Sequence, residues 1–332
     1  MNIYITLDYE LFFGSQSGGI DDCIINPTKE LLKIVDPLNV KIVFFVDVGY
    51  IDRLNKFKDE YPELQEDYIK ITSQIKSLAD NGHGIELHIH PHWENTIYNG
   101  EKWVFDTSLY KLQDFSKEEA YTIVTKYTKL LNKLSGKKAI AYRAGGWSSQ
   151  PFSHISEALK DAGILIDSTV YPKGYHQSKH QAYDFRNVAQ YKTKYSFSND
   201  LTIEVSNGHF TEYPISSYRL SPFFFWRFAL EKIKKNKKHI AFGNGSAISK
   251  PFLEVIKLMS WYSNSVVSID GYKASFVSKA FNKYIKNTKN KGHFVLIGHP
   301  KAFTPFSLNE TRKFIEKTYK EHTYSIFKKD SF

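Results

Sequence analysis

Three histidines fall within five residues in the run Glu86-Leu-His-Ile-His-Pro-His-Trp93, in a chain with only 12 histidines among 332 residues. His88 and His92, four apart, share a face on either a helix or a strand, and imidazole is the commonest protein ligand for zinc-like ions. Pro91 is expected to end the strand and turn His92 back towards a site. His90 stays open between a third ligand, a supporting partner and a core histidine. A second run, Thr6-Leu-Asp-Tyr-Glu10, closes an apolar stretch with two carboxylates. On a strand, residues i and i+2 share a face, so Asp8 and Glu10 can converge while Tyr9 turns away. Such a pair can supply a general base and a hard oxygen ligand, or be a solvated pair at a turn.

Two further runs end in the same way. Tyr142-Arg-Ala-Gly-Gly-Trp147 carries one of only six arginines against 39 lysines. An arginine there suits a bidentate clamp on a carboxylate, or an ordinary loop ion pair. Gly145 and Gly146 allow an unusual backbone and a close ligand approach. In Leu296-Ile-Gly-His-Pro300, His299 directly follows an apolar run, as a general acid or base would, although a lone histidine is more often structural. Asp167, after Ile164-Leu-Ile166, is a plausible residue to orient and charge His299.

The elements that must position these groups read as alternating strands and helices. Apolar bursts at Ile3–Leu7, Val40–Val46, Gly84–Ile89, Ala139–Tyr142, Ile164–Ile166, Leu201–Val205 and His293–Ile297 look like buried parallel strands. Helical spacing is clearest from Ser116 to Leu134, with a Ser116/Glu119 capping box and Gly136 as the stop. Further helices are expected at Pro27–Val35, Ile69–Ala79, Phe152–Ala162, Tyr272–Lys286 and Leu308–Lys320. This alternation predicts an α/β fold with a parallel sheet, open or closed into a barrel, whose ligand site lies at the carboxyl ends of the strands. With neither repeats nor a low-complexity linker, one elaborated domain is favoured over two.

Composition narrows the function classes. The chain is 42% hydrophobic and 24% charged, near the globular average, and its one cysteine, Cys23, excludes an internal disulfide or a multi-cysteine metal cluster. The net charge of +10 is unevenly placed: residues 221–332 hold 21 Lys+Arg and 7 Asp+Glu, whereas residues 1–220 hold 24 and 28. The first residues read as a strand rather than a signal peptide, and the expected location is cytoplasmic. Residues 222–239 set an aromatic cluster beside five lysines. They read either as a buried aromatic helix start with a solvated lysine turn, or as a peripheral contact with the inner face of an anionic membrane. Nucleic acid is a poor partner for this chain, which has no recognition motif and no arginine cluster.

Taken in order, the acidic first motif, His-x-x-x-His, Arg-x-Gly-Gly, Asp-Ser and the late histidine resemble the metal-dependent polysaccharide deacetylases, the NodB-homology or carbohydrate esterase family 4 group. The likeness is to divergent members with Asp-x-Glu and His-x-His-Pro-His. It implies a distorted (β/α)7 barrel over residues 1–305, with a lysine- and aromatic-rich insertion around 218–265 and a C-terminal helix and tail at 306–332. It further implies a divalent metal, most often Zn2+, on His88, His92 and a first-motif carboxylate. Tyr9 stands where the family has an adjacent Asp, so Glu10 is taken as the ligand and Asp8 as the base, with exchange of the two left open. Arg143 would orient the base, Asp167 would be the fourth-motif acid and His299 the general acid. Trp93, Tyr142, Gly145, Gly146 and Trp147 are the expected sugar-binding residues. The implied reaction is hydrolysis of an N-acetyl or related N-acyl group on a cell-surface polysaccharide or its nucleotide- or lipid-linked precursor. The alternatives are an amide hydrolase of the allantoinase or cyclic-imidase kind, or a non-catalytic glycan-binding or assembly protein.

Overall fold

A computed structural model describes residues 1–178, 180–247 and 252–329. Seven strands form its wall: β1 (Asn2–Tyr9), β2 (Val43–Asp47), β3 (Gly84–Ile89), β4 (Ala141–Ala144), β5 (Ile166–Asp167), β6 (Phe210–Glu212) and β7 (His293–Gly298). They lie in the order β6-β5-β4-β3-β2-β1-β7, every neighbouring pair parallel. The two ends of this curled sheet are joined. Ser216, beyond β6, donates its N–H to the Val295 carbonyl of β7 at 2.9 Å, and the Val295 N–H donates to the Ser216 hydroxyl at 3.0 Å. The result is the distorted (β/α) barrel that the family resemblance implies, and it settles the choice between open and closed that the alternating pattern leaves. The central strands are buried over their whole length because both faces are covered; all five residues of β2, Val-Phe-Phe-Val-Asp, are buried.

The helices are α1 (Asn26–Val35), α2 (Val48–Phe57), α3 (Pro62–Asp80), α4 (Lys117–Ser135), α5 (Ser156–Asp161), α6 (Pro222–Ile233), α7 (Phe252–Ser260), α8 (Val277–Thr288) and α9 (Pro305–Thr318). In α4 the capping box forms as the sequence predicts, and Gly136 ends the helix at φ 70°. Ala120, Ile123, Val124, Tyr127 and Leu131 are its buried stripe. Losing the Ser116 cap alone would cost about 1 kcal/mol.

One expected strand does not form. Residues 201–205 make a turn, because the Asp200 carboxylate accepts the Thr202 N–H at 2.8 Å and Ile203 is exposed rather than buried. Phe210–Glu212 takes the place in the wall. In the stretch expected as an elaboration at 218–265, Ser217–Leu220 pairs antiparallel with Ser263–Val266, and α6 and α7 lie between them. Residues 248–251 of that stretch and 330–332 of the tail lie outside the described residues.

Candidate functional site

Because the wall strands are parallel, their carboxyl ends gather on one rim. Asp8 closes β1 and Glu10 follows it; Asp47 ends β2, His88 lies on β3, Arg143 on β4, and His299 follows β7. The alternation of β1 works as expected. Tyr9 points away into the helical layer and donates its hydroxyl to Gln74 at 2.7 Å, while Asp8 and Glu10 both line one pocket with His88, His90 and His299.

The two carboxylates have different surroundings. Arg143 is completely buried and donates from Nη1 to Asp8 Oδ1 at 2.6 Å. It is itself fixed by the Ser168 carbonyl at 2.7 Å and the Thr6 hydroxyl at 2.9 Å. The face of Phe45 lies 4.1 Å from its guanidinium carbon. Burial alone would raise the Asp8 pKa, but Arg143, His88 and His299 outweigh it and hold the carboxyl well below its ordinary range. Glu10 instead divides its oxygens. Oε1 accepts from Lys301 Nζ at 2.9 Å, and Oε2 lies 3.1 Å from His88 Nε2 and 2.7 Å from His90 Nε2. Burial opposes its ionisation too, yet Lys301 and His90 lower its pKa.

Glu10, His88 and His90 bring their ligand atoms within 4.8 Å of one another, the one such group of three among the described residues. The donor set suits a divalent cation, because His88 Nδ1 lies 2.8 Å from the Arg143 carbonyl oxygen. A carbonyl can only accept, so Nδ1 carries the proton and Nε2 is the nitrogen with a lone pair to offer. His90 Nδ1, buried, has no partner. Gly145 is needed beside it, since a Cβ there would sit 2.6 Å from that nitrogen.

The structure thus brings His90, not His92, to the convergence point. His88 and His90 are i and i+2 along an extended backbone, whereas Pro91 opens a helical turn over residues 91–95 that carries His92 away. His92 is fully buried, with both ring nitrogens unpaired. It stacks on Tyr110 at 5.5 Å and on Trp93 at 5.6 Å. Burial, together with His90, pushes its pKa well below 6.5.

The partner of His299 also differs from the expectation. Asp270 accepts both the His299 backbone N–H and Nδ1, each at 2.7 Å. It lies there because residues 267–269 run alongside β7, with Ser268 bridged to Ile297. On the other side His299 Nε2 faces Asp8 Oδ2 at 3.5 Å. Burial would lower the His299 pKa, but Asp270 and Asp8 push it up to about 10, so the ring is an imidazolium at neutral pH. Asp167 turns elsewhere: it accepts the Thr169 N–H at 2.8 Å and sits beside Glu212, its parallel neighbour. Burial, together with the Asp167 charge, pushes the Glu212 pKa well above its ordinary value.

Of the expected sugar contacts, Gly146 and Trp147 line the pocket with Phe13 and Tyr110. Trp93 and Tyr142 are buried and present no open face to it; the Trp93 indole N–H donates to Asp47 at 2.7 Å. Gly145 makes room for His90 rather than for a ligand. Lys301, Asp270 and Asp47 were not singled out in the sequence. Asp270 ends the apolar burst Val266–Ile269 in the same manner as the other site residues, a signal that could have found it.

No protein-family model matches the chain. No curated protein matches it either. Among solved structures it is similar to two proteins provisionally described as polysaccharide deacetylases. One, from Mycobacterium smegmatis, is 18% identical over 98% of this chain and 86% of that one, with a TM-score of 0.50. The other, from Pseudomonas aeruginosa PAO1, is 10% identical over 98% and 87%, also with a TM-score of 0.50. The chain has the barrel fold of these structures.

Proposed function

We propose that the chain is a metal-dependent hydrolase that removes an N-acetyl or related N-acyl group from a sugar of a cell-surface polysaccharide or its nucleotide- or lipid-linked precursor. The observation that carries this reading is the pairing of Glu10, His88 and His90 with a separate Asp8/Arg143/His299/Asp270 set in one pocket. Glu10, His88 and His90 would hold the cation, which when bound supplies Lewis acidity to an amide carbonyl and acidifies water; Zn2+ suits a donor set rich in imidazole. Asp8, ionised and fixed through Oδ1 by Arg143, keeps Oδ2 to take a proton from attacking water. His299 holds a proton on Nε2, 3.5 Å from Asp8, and can deliver it to the departing amine. Trp147 supplies an aromatic face beside the pocket for a sugar ring. The replacement of the family's adjacent Asp by Tyr9 does not remove a carboxylate from the site, because Glu10 reaches it from the next position on the same face. That favours turnover over a purely binding role.

The test is acetate release from N-acetylated oligosaccharides by the full chain reconstituted with Zn2+. Asp8→Asn is expected to lower the rate by about 100-fold or more, the usual contribution of a positioned base, without loss of metal. A chain that binds no stoichiometric divalent cation, or an Asp8→Asn variant as active as the parent, overturns the reading.

A further inference from the structure

The stretch 222–262 is the least explained surface of the molecule. In α6 only Phe224 is buried. Phe223, Trp226, Leu230 and Ile233 recur at three- and four-residue spacing on one face of the helix, and that face is open: they are 75%, 53%, 54% and 75% exposed. Beside them Leu253, Trp261 and Tyr262 are also exposed. The two helices are tied together by the Trp226 indole N–H, which donates to the Met259 carbonyl at 3.0 Å. Lys232, Lys234, Lys235, Lys237 and Lys238 are all exposed at the end of α6 and in the turn that follows. Between Arg219 and Tyr262 there are nine Lys+Arg against two acids, Glu231 and Glu254.

We propose that α6, α7 and the lysine-rich turn form a docking surface for an anionic lipid bilayer, lying in the plane of its interface. Charge and side-chain type together select this occupant. A basic helix with an aromatic and aliphatic face is suited to the boundary between headgroups and acyl chains, where tryptophan and tyrosine are favoured. The lysines meet the negative surface potential of acidic lipids. A second copy is a poor fit, because a twofold contact would set the same basic patch against itself. No helix among the described residues is long and apolar enough to cross a membrane, so the surface lies on the bilayer. It is linked to loops beside the pocket through the segment between the two helices. The chain returning from α6 pairs with the site's own loops, Gly243 N–H donating to the Lys301 carbonyl at 3.2 Å and Gly14 N–H to the Ser246 carbonyl at 3.0 Å. Docking would therefore bring the pocket's surroundings close to the bilayer. The inference stands on this surface alone and does not need the hydrolase reading.

The experiment is co-sedimentation of the full chain with vesicles of phosphatidylglycerol and phosphatidylcholine, against phosphatidylcholine alone, in low and high salt. Binding at least tenfold stronger to the acidic vesicles, weakened by salt, is expected. Replacing Phe223, Trp226, Leu230 and Ile233 together by serine, or the five lysines by glutamine, should each weaken it at least tenfold. Should the serine variant not fold, the part of the brominated-lipid quenching that is lost in Trp226→Phe reads insertion of Trp226 in the otherwise unaltered chain, apart from any quenching of the exposed Trp261. Equal binding to both vesicle types, binding unchanged in the lysine variant, or no Trp226 quenching overturns the proposal. So does a dimer in solution that the serine variant dissociates while vesicles go unbound, which would make the face a self-interface.

Discussion

Replacing Asp270 by asparagine should uncouple the charge of His299 from its position. The imidazole is pushed from an ordinary 6.5 up to about 10. At ~1.36 kcal/mol per pKa unit, that gap is roughly 5 kcal/mol of preference for the charged ring. Burial works against it, so two carboxylates must supply more than the net amount. Asp270 stands 2.7 Å from Nδ1 and Asp8 Oδ2 3.5 Å from Nε2, and the nearer group carries the larger share. Asparagine keeps one oxygen as acceptor for the His299 backbone N–H and removes the charge together with the second oxygen, which accepts from Nδ1. His299 is then expected to titrate about two pH units lower, near 8 at that same conversion.

The titration can be read on the metal-free chain from the His299 ring proton resonances, assigned by their loss in His299→Gln. A second readout follows from linkage. A histidine with a raised pKa in the folded state adds stability that is fully present below pH 6.5 and is lost as the pH climbs towards 10. Denaturant midpoints of the parent chain should therefore fall across that window more steeply than those of Asp270→Asn. A parent His299 that titrates near 6.5, or an Asp270→Asn variant in which it does not move, would refute the electrostatic argument.

Two other consequences can be measured. His88→Ala and His90→Ala should each cut zinc affinity by more than 100-fold, beyond the 10–100-fold that loss of a supporting partner typically causes, while His92→Phe should keep it; calorimetry that shows the reverse order for His90 and His92 would reassign the ligand set. Glu86, whose Oε2 accepts the Ile140 and Ala141 N–H groups at 2.8 and 2.7 Å, is pushed by burial up to about 8. The folded chain holds a proton there that the unfolded chain releases, so stability falls as pH rises from 4.5 to 8. Glu86→Gln retains the acceptor and removes this loss, so the difference in Tm between pH 5 and pH 9 should narrow.

Much of the wall was legible because parallel strands buried on both faces leave apolar bursts, and six of the seven bursts read from the sequence coincide with wall strands. The exception shows what burst reading cannot see. Leu201-Thr-Ile-Glu-Val205 has strand-like composition, but Asp200 captures the next backbone N–H and turns the chain first. The site was legible wherever a reactive side chain followed a burst directly, as with Asp8, Glu10, His88, Arg143 and His299. It was illegible where the answer depended on which way a backbone turned. His92 has the expected spacing from His88, yet the turn opened by Pro91 takes it into an aromatic cage and leaves His90 facing Glu10.

Long-range pairing accounts for the rest. Asp270 and Lys301 reach the site only because β7 closes the barrel against β1, joining residues that no local pattern connects. That closure also explains how the basic C-terminal third contributes to a site built mostly from the acidic part of the chain. Lys301 neutralises one oxygen of Glu10 and is held in place by the Leu11 carbonyl as well. Asp270, one of the few acids in that third, is spent on His299. Around α6 and its turn, the nine Lys+Arg between Arg219 and Tyr262 meet only Glu231 and Glu254, and Glu231 pairs with Lys234 at 2.9 Å. The charge of +10 is therefore unevenly matched: acids and bases meet pair by pair inside the barrel, whereas around α6 nine basic residues stand against two acids.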